Sequence, residues 1–113
     1  MTQIFDPRDY GDSPLPILVN GRTGAGAVLD AHRCKFLSLM VTWSATTTTG
    51  TVQLETSDTP DFGGTWAPIG SAVPAVSGGA QTSVTLTATR GYVRARAIGV
   101  DGDGATVTVV CEF

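Results

Sequence analysis

The stretch Cys34-Lys-Phe-Leu-Ser-Leu-Met-Val-Thr-Trp-Ser44 decides the fold class. In an extended chain successive side chains point to opposite faces, so Leu37, Leu39, Val41 and Trp43 share one side. Phe36, Met40 and Thr42 share the other. A strand that is apolar on both faces for part of its length belongs in the middle of a sheet.

Working outward, the same period of two recurs in short runs broken by Gly, Asp, Pro and Thr. Leu15 to Val19 contains Pro16, which suits an edge strand or a bulge because proline has no N–H for a ladder. Asn20-Gly21 supplies a turn, and Gly26 to Ala31 a second strand. After the polar turn Thr46–Gly50, the run Thr51–Thr56 turns Val52 and Leu54 inward and Gln53 and Glu55 outward. Trp66–Ile69 reads as a short strand between two loops, 57–64 and 73–80. Gln81–Ala88 alternates strictly, with Val84 and Leu86 inward. Gly91–Ile98 places Val93, Ala95 and Ala97 on one side and Tyr92, Arg94 and Arg96 on the other. Asp101-Gly-Asp-Gly104 has the chemistry of a tight hairpin turn, and Ala105–Phe113 carries Val107, Val109, Cys111 and Phe113 on one face. About eight strands and no helical stretch predict an all-β domain, an antiparallel β-sandwich or jelly roll over residues 15–113.

Residues 1–14 break this pattern. They hold Pro7, Pro14, Asp6, Asp9 and Asp12, with only Ile4, Phe5 and Tyr10 as apolar anchors. The segment reads as an extended N-terminal arm that lies on the domain's own surface or on a neighbour.

Composition agrees with a folded β domain. The chain of 113 residues is 42% hydrophobic and only 15% charged, which is not the make-up of a disordered segment. Lys and Glu are scarce, with Lys35, Glu55 and Glu112 the sole examples, while the abundant Thr and Val favour pleated sheet over helix. The net charge of −3 lacks the basic excess of a nucleic-acid binder. No apolar run approaches the ~18 residues of a membrane span. The acidic opening has no apolar core of the kind a secretory leader needs. The expectation for Cys34 and Cys111 is therefore two reduced, packed thiols, although the pair permits one bridge.

The residues that carry chemistry are sparse. His32 is the one imidazole, with no Gly-x-Ser-x-Gly elbow to accompany it, and reads as an exposed turn residue. Glu55 and Glu112 lie at outward strand positions, so paired-carboxylate hydrolysis is not indicated. Asp101 and Asp103 lack the further ligands of a calcium loop, and two thiols, His32 and an Asp have no zinc-site spacing. No enzyme activity, cofactor or metal is expected. Two patterns point to binding instead. Tyr92, Arg94 and Arg96 alternate along one strand, about 7 Å apart on one face. They read as a solvated stripe paired with acids on neighbouring strands, or as a contact to an acidic partner together with Ile4, Phe5 and Tyr10 of the arm. The loop ending in Trp66, with Asp58 and Asp61, has the make-up of a glycan platform, or Trp66 anchors the core while Asp58 caps its loop.

Three strings place the chain beside a family. Gly50-Thr-Val-Gln-Leu-Glu-Thr-Ser57-Asp58, Gly64-Thr65-Trp66-Ala-Pro-Ile69-Gly70 and Gly91-Tyr92-Val93-Arg94-Ala-Arg96 resemble the small β-sandwich virion proteins of tailed bacteriophages. The resemblance spans roughly residues 50–113. Thr59-Pro60-Asp61-Phe62 departs from it, standing where the family has a short Asp-Gly-Thr connection. It implies a non-enzymatic structural subunit located in the virion and assembled in the host cytoplasm. A capsid decoration or cement protein that meets the major capsid protein or other virion proteins, as a homo-oligomer, is the first expectation. A tail- or fibre-associated subunit, or a non-catalytic carbohydrate-binding module using Trp66, is the alternative.

Overall fold

The computed structural model describes residues 4–5, 15–32, 34–60, 64–86 and 91–112. Among these the chain is all-β, with eleven strands and no helix. The central strand of the sequence reading forms as β5 (Phe36–Trp43), and Leu37, Leu39, Val41 and Trp43 are all buried. It lies in a four-stranded sheet in the order β2 (Leu15–Gly21), β11 (Ala105–Glu112), β5, β9 (Gln81–Leu86). Pro16 sits on the edge strand β2, whose register against β11 slips twice, at Ala105/Val107 and Val107/Thr108.

The second sheet is built around β10 (Tyr92–Ile98) and β6 (Thr51–Ser57), paired antiparallel from Tyr92↔Ser57 to Ile98↔Thr51. Its other members are short: β1 (Ile4–Phe5), β3 (Gly24–Ala25), β4 (Val28–Asp30), β7 (Ala67–Pro68) and β8 (Val73–Pro74). These two- and three-residue pieces are why eleven strands stand where about eight were expected. Every pairing is antiparallel except β1 with β4. Inward residues of both sheets, including Leu39, Val41, Val107 and Val109 from one and Val52, Leu54, Val93 and Ala95 from the other, join in one core.

Ile4 and Phe5 form β1 beside Val28 and Leu29, and Phe5 packs partly buried against the core, so this piece of the N-terminal segment lies on the domain's own surface. Residues 6–14, including Tyr10, lie outside the described residues. Asp101-Gly102-Asp103-Gly104 is not a hairpin turn, because β10 and β11 belong to different sheets. Its glycines do take the positive φ that a tight turn needs, 63° at Gly102 and 88° at Gly104. The tight turn makes an arch from sheet to sheet.

A second arch, Ser44–Gly50, runs the opposite way from β5 to β6, and the two clasp each other. Thr47 is fully buried and donates its hydroxyl to the carbonyls of Asp101 (2.9 Å) and Gly104 (3.2 Å). The Asp101 carboxylate in turn accepts from the N–H groups of Thr48 (2.6 Å) and Thr49 (3.0 Å) and from the Thr48 hydroxyl. The arches approach so closely that a Cβ on Gly50, at φ 116°, would fall 2.5 Å from the Val100 Cα.

The cysteines also differ from expectation. Cys34 and Cys111 form a disulfide with Cα atoms 5.4 Å apart. Cys111 stands opposite Leu37 in the β5–β11 ladder, and the turn before β5, in which the Cys34 N–H donates to the Ala31 carbonyl and the Lys35 N–H to the Glu112 carbonyl, folds Cys34 back to it. Closing a span of 77 residues constrains the unfolded chain by about 4 to 5 kcal/mol in the chain-entropy view.

Candidate interaction surface

The outer face of the larger sheet carries the stripe that the alternation of β10 predicts. Its pairing with β6 sets Glu55 directly opposite Arg94. Glu55 Oε1 accepts from Arg94 Nε at 2.9 Å and from Arg96 Nε at 3.2 Å, so one carboxylate oxygen serves two guanidiniums. The expected pairing of the stripe with an acid on a neighbouring strand is thus present, and Glu55 is that acid.

The stripe is not uniformly solvated, however. β7 pairs with β6 through Glu55↔Pro68 and Thr56↔Ala67, which brings the preceding Trp66 over the same spot. The Arg94 guanidinium lies 4.3 Å from the centre of the Trp66 ring, a cation–π stack. Roofed in this way, Arg94 is 3% exposed, whereas Arg96 is 43% exposed. Arg94 is therefore a buried packing residue and Arg96 the guanidinium that meets solvent. Gln53 braces the arrangement by donating to the carbonyls of Leu54 (2.9 Å) and Ile69 (3.3 Å).

Tyr92 closes the other end of the stripe. It pairs with Asp30 of β4, and its ring meets the His32 ring edge-on at 4.8 Å. Asp30 Oδ1 holds His32 by its Nδ1 (2.7 Å) and its backbone N–H (3.1 Å). Gly91 at φ 122° leaves the room for this ring, since a Cβ there would collide with the imidazole. His32 is exposed, as its turn position predicts. Among the described residues no group of three or more His, Cys, Asp or Glu side chains is arranged to hold a metal ion.

The glycan residues are placed less favourably for a platform. Trp66 is half-buried and gives one ring face to Arg94. Asp58 is exposed at the end of β6, where the Ser57 hydroxyl accepts from the Thr59 N–H (3.3 Å). Asp61 lies outside the described residues. In the sequence Trp66 and Arg94 fall in separate candidate sites; the β6–β7 pairing that joins them has no signal in residues as irregular as 58–66.

The two sheets differ sharply in what their outer faces offer. The larger shows Asp30, Tyr92, Arg96 and Glu55 between apolar ends, with Ile4 46% and Ile98 48% exposed. On the four strands of the smaller sheet Glu112 is the only charged residue. A shallow hollow of about 340 Å³ runs over Ser38, Met40, Ser83, Thr108 and Val110 on that face.

Compared with known proteins, the chain matches no family model, and no curated protein or solved structure is significantly similar to it.

Proposed function

We propose that the two sheets form a β-sandwich and that the protein is a non-enzymatic virion subunit, a capsid decoration or cement protein of the tailed-phage kind. In this reading it docks on the major capsid protein or another virion protein through its N-terminal segment and the outer face of the larger sheet. The observation that supports it best is Arg96, half-exposed and already fixed by Glu55, next to the exposed Ile98 and on the same face as Tyr92. Arg and Tyr are favoured at the centres of protein interfaces, and a guanidinium held in place loses less freedom on binding. The acids Asp6, Asp9 and Asp12 offer a complementary surface on an adjacent copy. The subunit assembles in the host cytoplasm, and the Cys34–Cys111 bond then forms when the particle reaches oxidising surroundings.

The test is binding of purified protein to particles lacking it, at two salt concentrations. Arg96→Ala is expected to bind more weakly and with less dependence on salt. Unchanged affinity at both salts would remove this face from the interface. Electron microscopy of the decorated particle separates a head position from a tail or fibre position, and a glycan pull-down lost in Trp66→Ala would favour the carbohydrate-binding alternative.

A further inference from the structure

Edges, rather than faces, distinguish the strands of this protein from one another. A strand at a sheet edge offers unpaired N–H and C=O groups to any other strand, and proteins blunt such edges with proline, bulges, charge or brevity. Most edges here carry such a device. β2 has Pro16 and two slips of register, β1 has two residues, and β7 and β8 have two each and include Pro68 and Pro74. β9 has none. It is six residues long, Gln-Thr-Ser-Val-Thr-Leu, without charge, proline or bulge, and it closes the smaller sheet with only β5 beside it among the described residues.

The outward donors can be assigned. The Trp43 N–H donates to the Ala80 carbonyl, and in an antiparallel ladder such bonded pairs alternate. Thr82, Val84 and Leu86 therefore bond toward β5, and Gln81, Ser83 and Thr85 turn their N–H and C=O groups away from it.

We infer that β9 is a self-association edge, whose partner is β9 of a second copy paired antiparallel about a two-fold axis. Centring that axis on Val84 sets Val84 against Val84, Thr82 against Leu86, and Ser83 against Thr85. Ser83 and Thr85 then exchange N–H···O=C bonds with their counterparts in both directions. The core-facing row Thr82–Val84–Leu86 stays on the core side across the junction, where Val84, only partly covered in the single chain, gains a second wall. A two-fold contact of this kind closes on itself and ends at a dimer. The near-absence of charge on the smaller sheet lets two such sheets meet without repulsion. The inference stands independently of the virion reading, because it concerns the purified chain alone.

Sedimentation of the purified protein across ~1 to ~100 µM tests it, a span that brackets micromolar association. The wild type is expected to move from monomer to dimer with rising concentration. Ser83→Pro removes one outward donor while leaving the β5 ladder intact, and Thr85→Lys sets like charges across the junction. Each is expected to weaken dimerisation at least tenfold. Thr106→Lys, on the same face but on interior strand β11, is expected to leave it unchanged. Circular dichroism confirms that each variant is folded. In the wild type, amide exchange at Ser83 and Thr85 should slow as concentration rises. A wild type that stays monomeric throughout, a dimer indifferent to the β9 variants, or one lost equally with Thr106→Lys would each overturn the inference.

Discussion

The Asp101 carboxylate captures both the backbone N–H and the hydroxyl of Thr48, and so ties the arch leaving one sheet to the arch entering the other. Those bonds, with the hydroxyl of Thr48 the strongest cause and the N–H groups of Thr49 and Thr48 next, lower the Asp101 pKa from 3.8 to about 2. A depressed acid pKa stabilises the fold above the unfolded value of 3.8, and that stabilisation disappears as pH falls toward about 2. Asp101→Asn is expected to lower the urea midpoint at pH 6 and to match the wild type progressively as acid is added. A midpoint difference that does not change with pH would mean the charge is not the cause.

Arg94 and Arg96 share a carboxylate but not an environment. Removing Arg94 takes away the cation beneath Trp66 and leaves Glu55, itself 13% exposed, with one of its two cations. Arg94→Ala is expected to cost about 3 kcal/mol, the scale for breaking a buried pair. Arg96→Ala should cost about 1 kcal/mol or less, because the pair is screened by solvent. Denaturant unfolding of the two single variants decides it, and equal costs would contradict the burial difference.

Reduction should be felt throughout the chain. With the Cys34–Cys111 bond opened by a thiol reductant, or removed as Cys34→Ala with Cys111→Ala, stability is expected to fall by about 4 to 5 kcal/mol. Thiol titration of the unfolded, unreduced protein should find no free cysteine.

Gly50 is the position where the arches leave no room. Gly50→Ala would place a methyl group against the Val100 backbone and force a β-carbon into positive φ. A loss of about 1 to 3 kcal/mol is expected from thermal or urea unfolding. Gly70→Ala also falls at a positive backbone angle, but at a milder 65° and with open space around it, and should cost less.

How far the sequence discloses this molecule depends on the range over which each feature is set. The facing of β5, β6, β9 and β11 is written locally, since Leu37, Val52, Val84 and Val107 each begin or sit within a run of period two. The arch at 101–104 misleads because a tight turn uses the same Asp-Gly chemistry whether its strands pair with each other or part between sheets. Arg94 reads as solvated because its strand position is outward; among the described residues Trp66, brought over by β7, stacks on its guanidinium. The disulfide depends on β5 pairing with β11 and on the turn that folds Cys34 back beside the ladder, which a spacing of 77 residues does not convey.

The bond between Cys34 and Cys111 also divides the molecule topologically. Everything from β5 to Cys111 in β11, including both arches and four of the five longest strands, lies inside one covalent ring, while β1 to β4 hang from it as a tail. A protease that cuts any loop within the ring produces a nicked protein whose two pieces remain one molecule until reduced. A cut before residue 34 instead releases a fragment held only by sheet pairing. Limited proteolysis read on reducing and non-reducing gels would therefore sort every accessible loop into one class or the other, mapping the ring without reference to its fold.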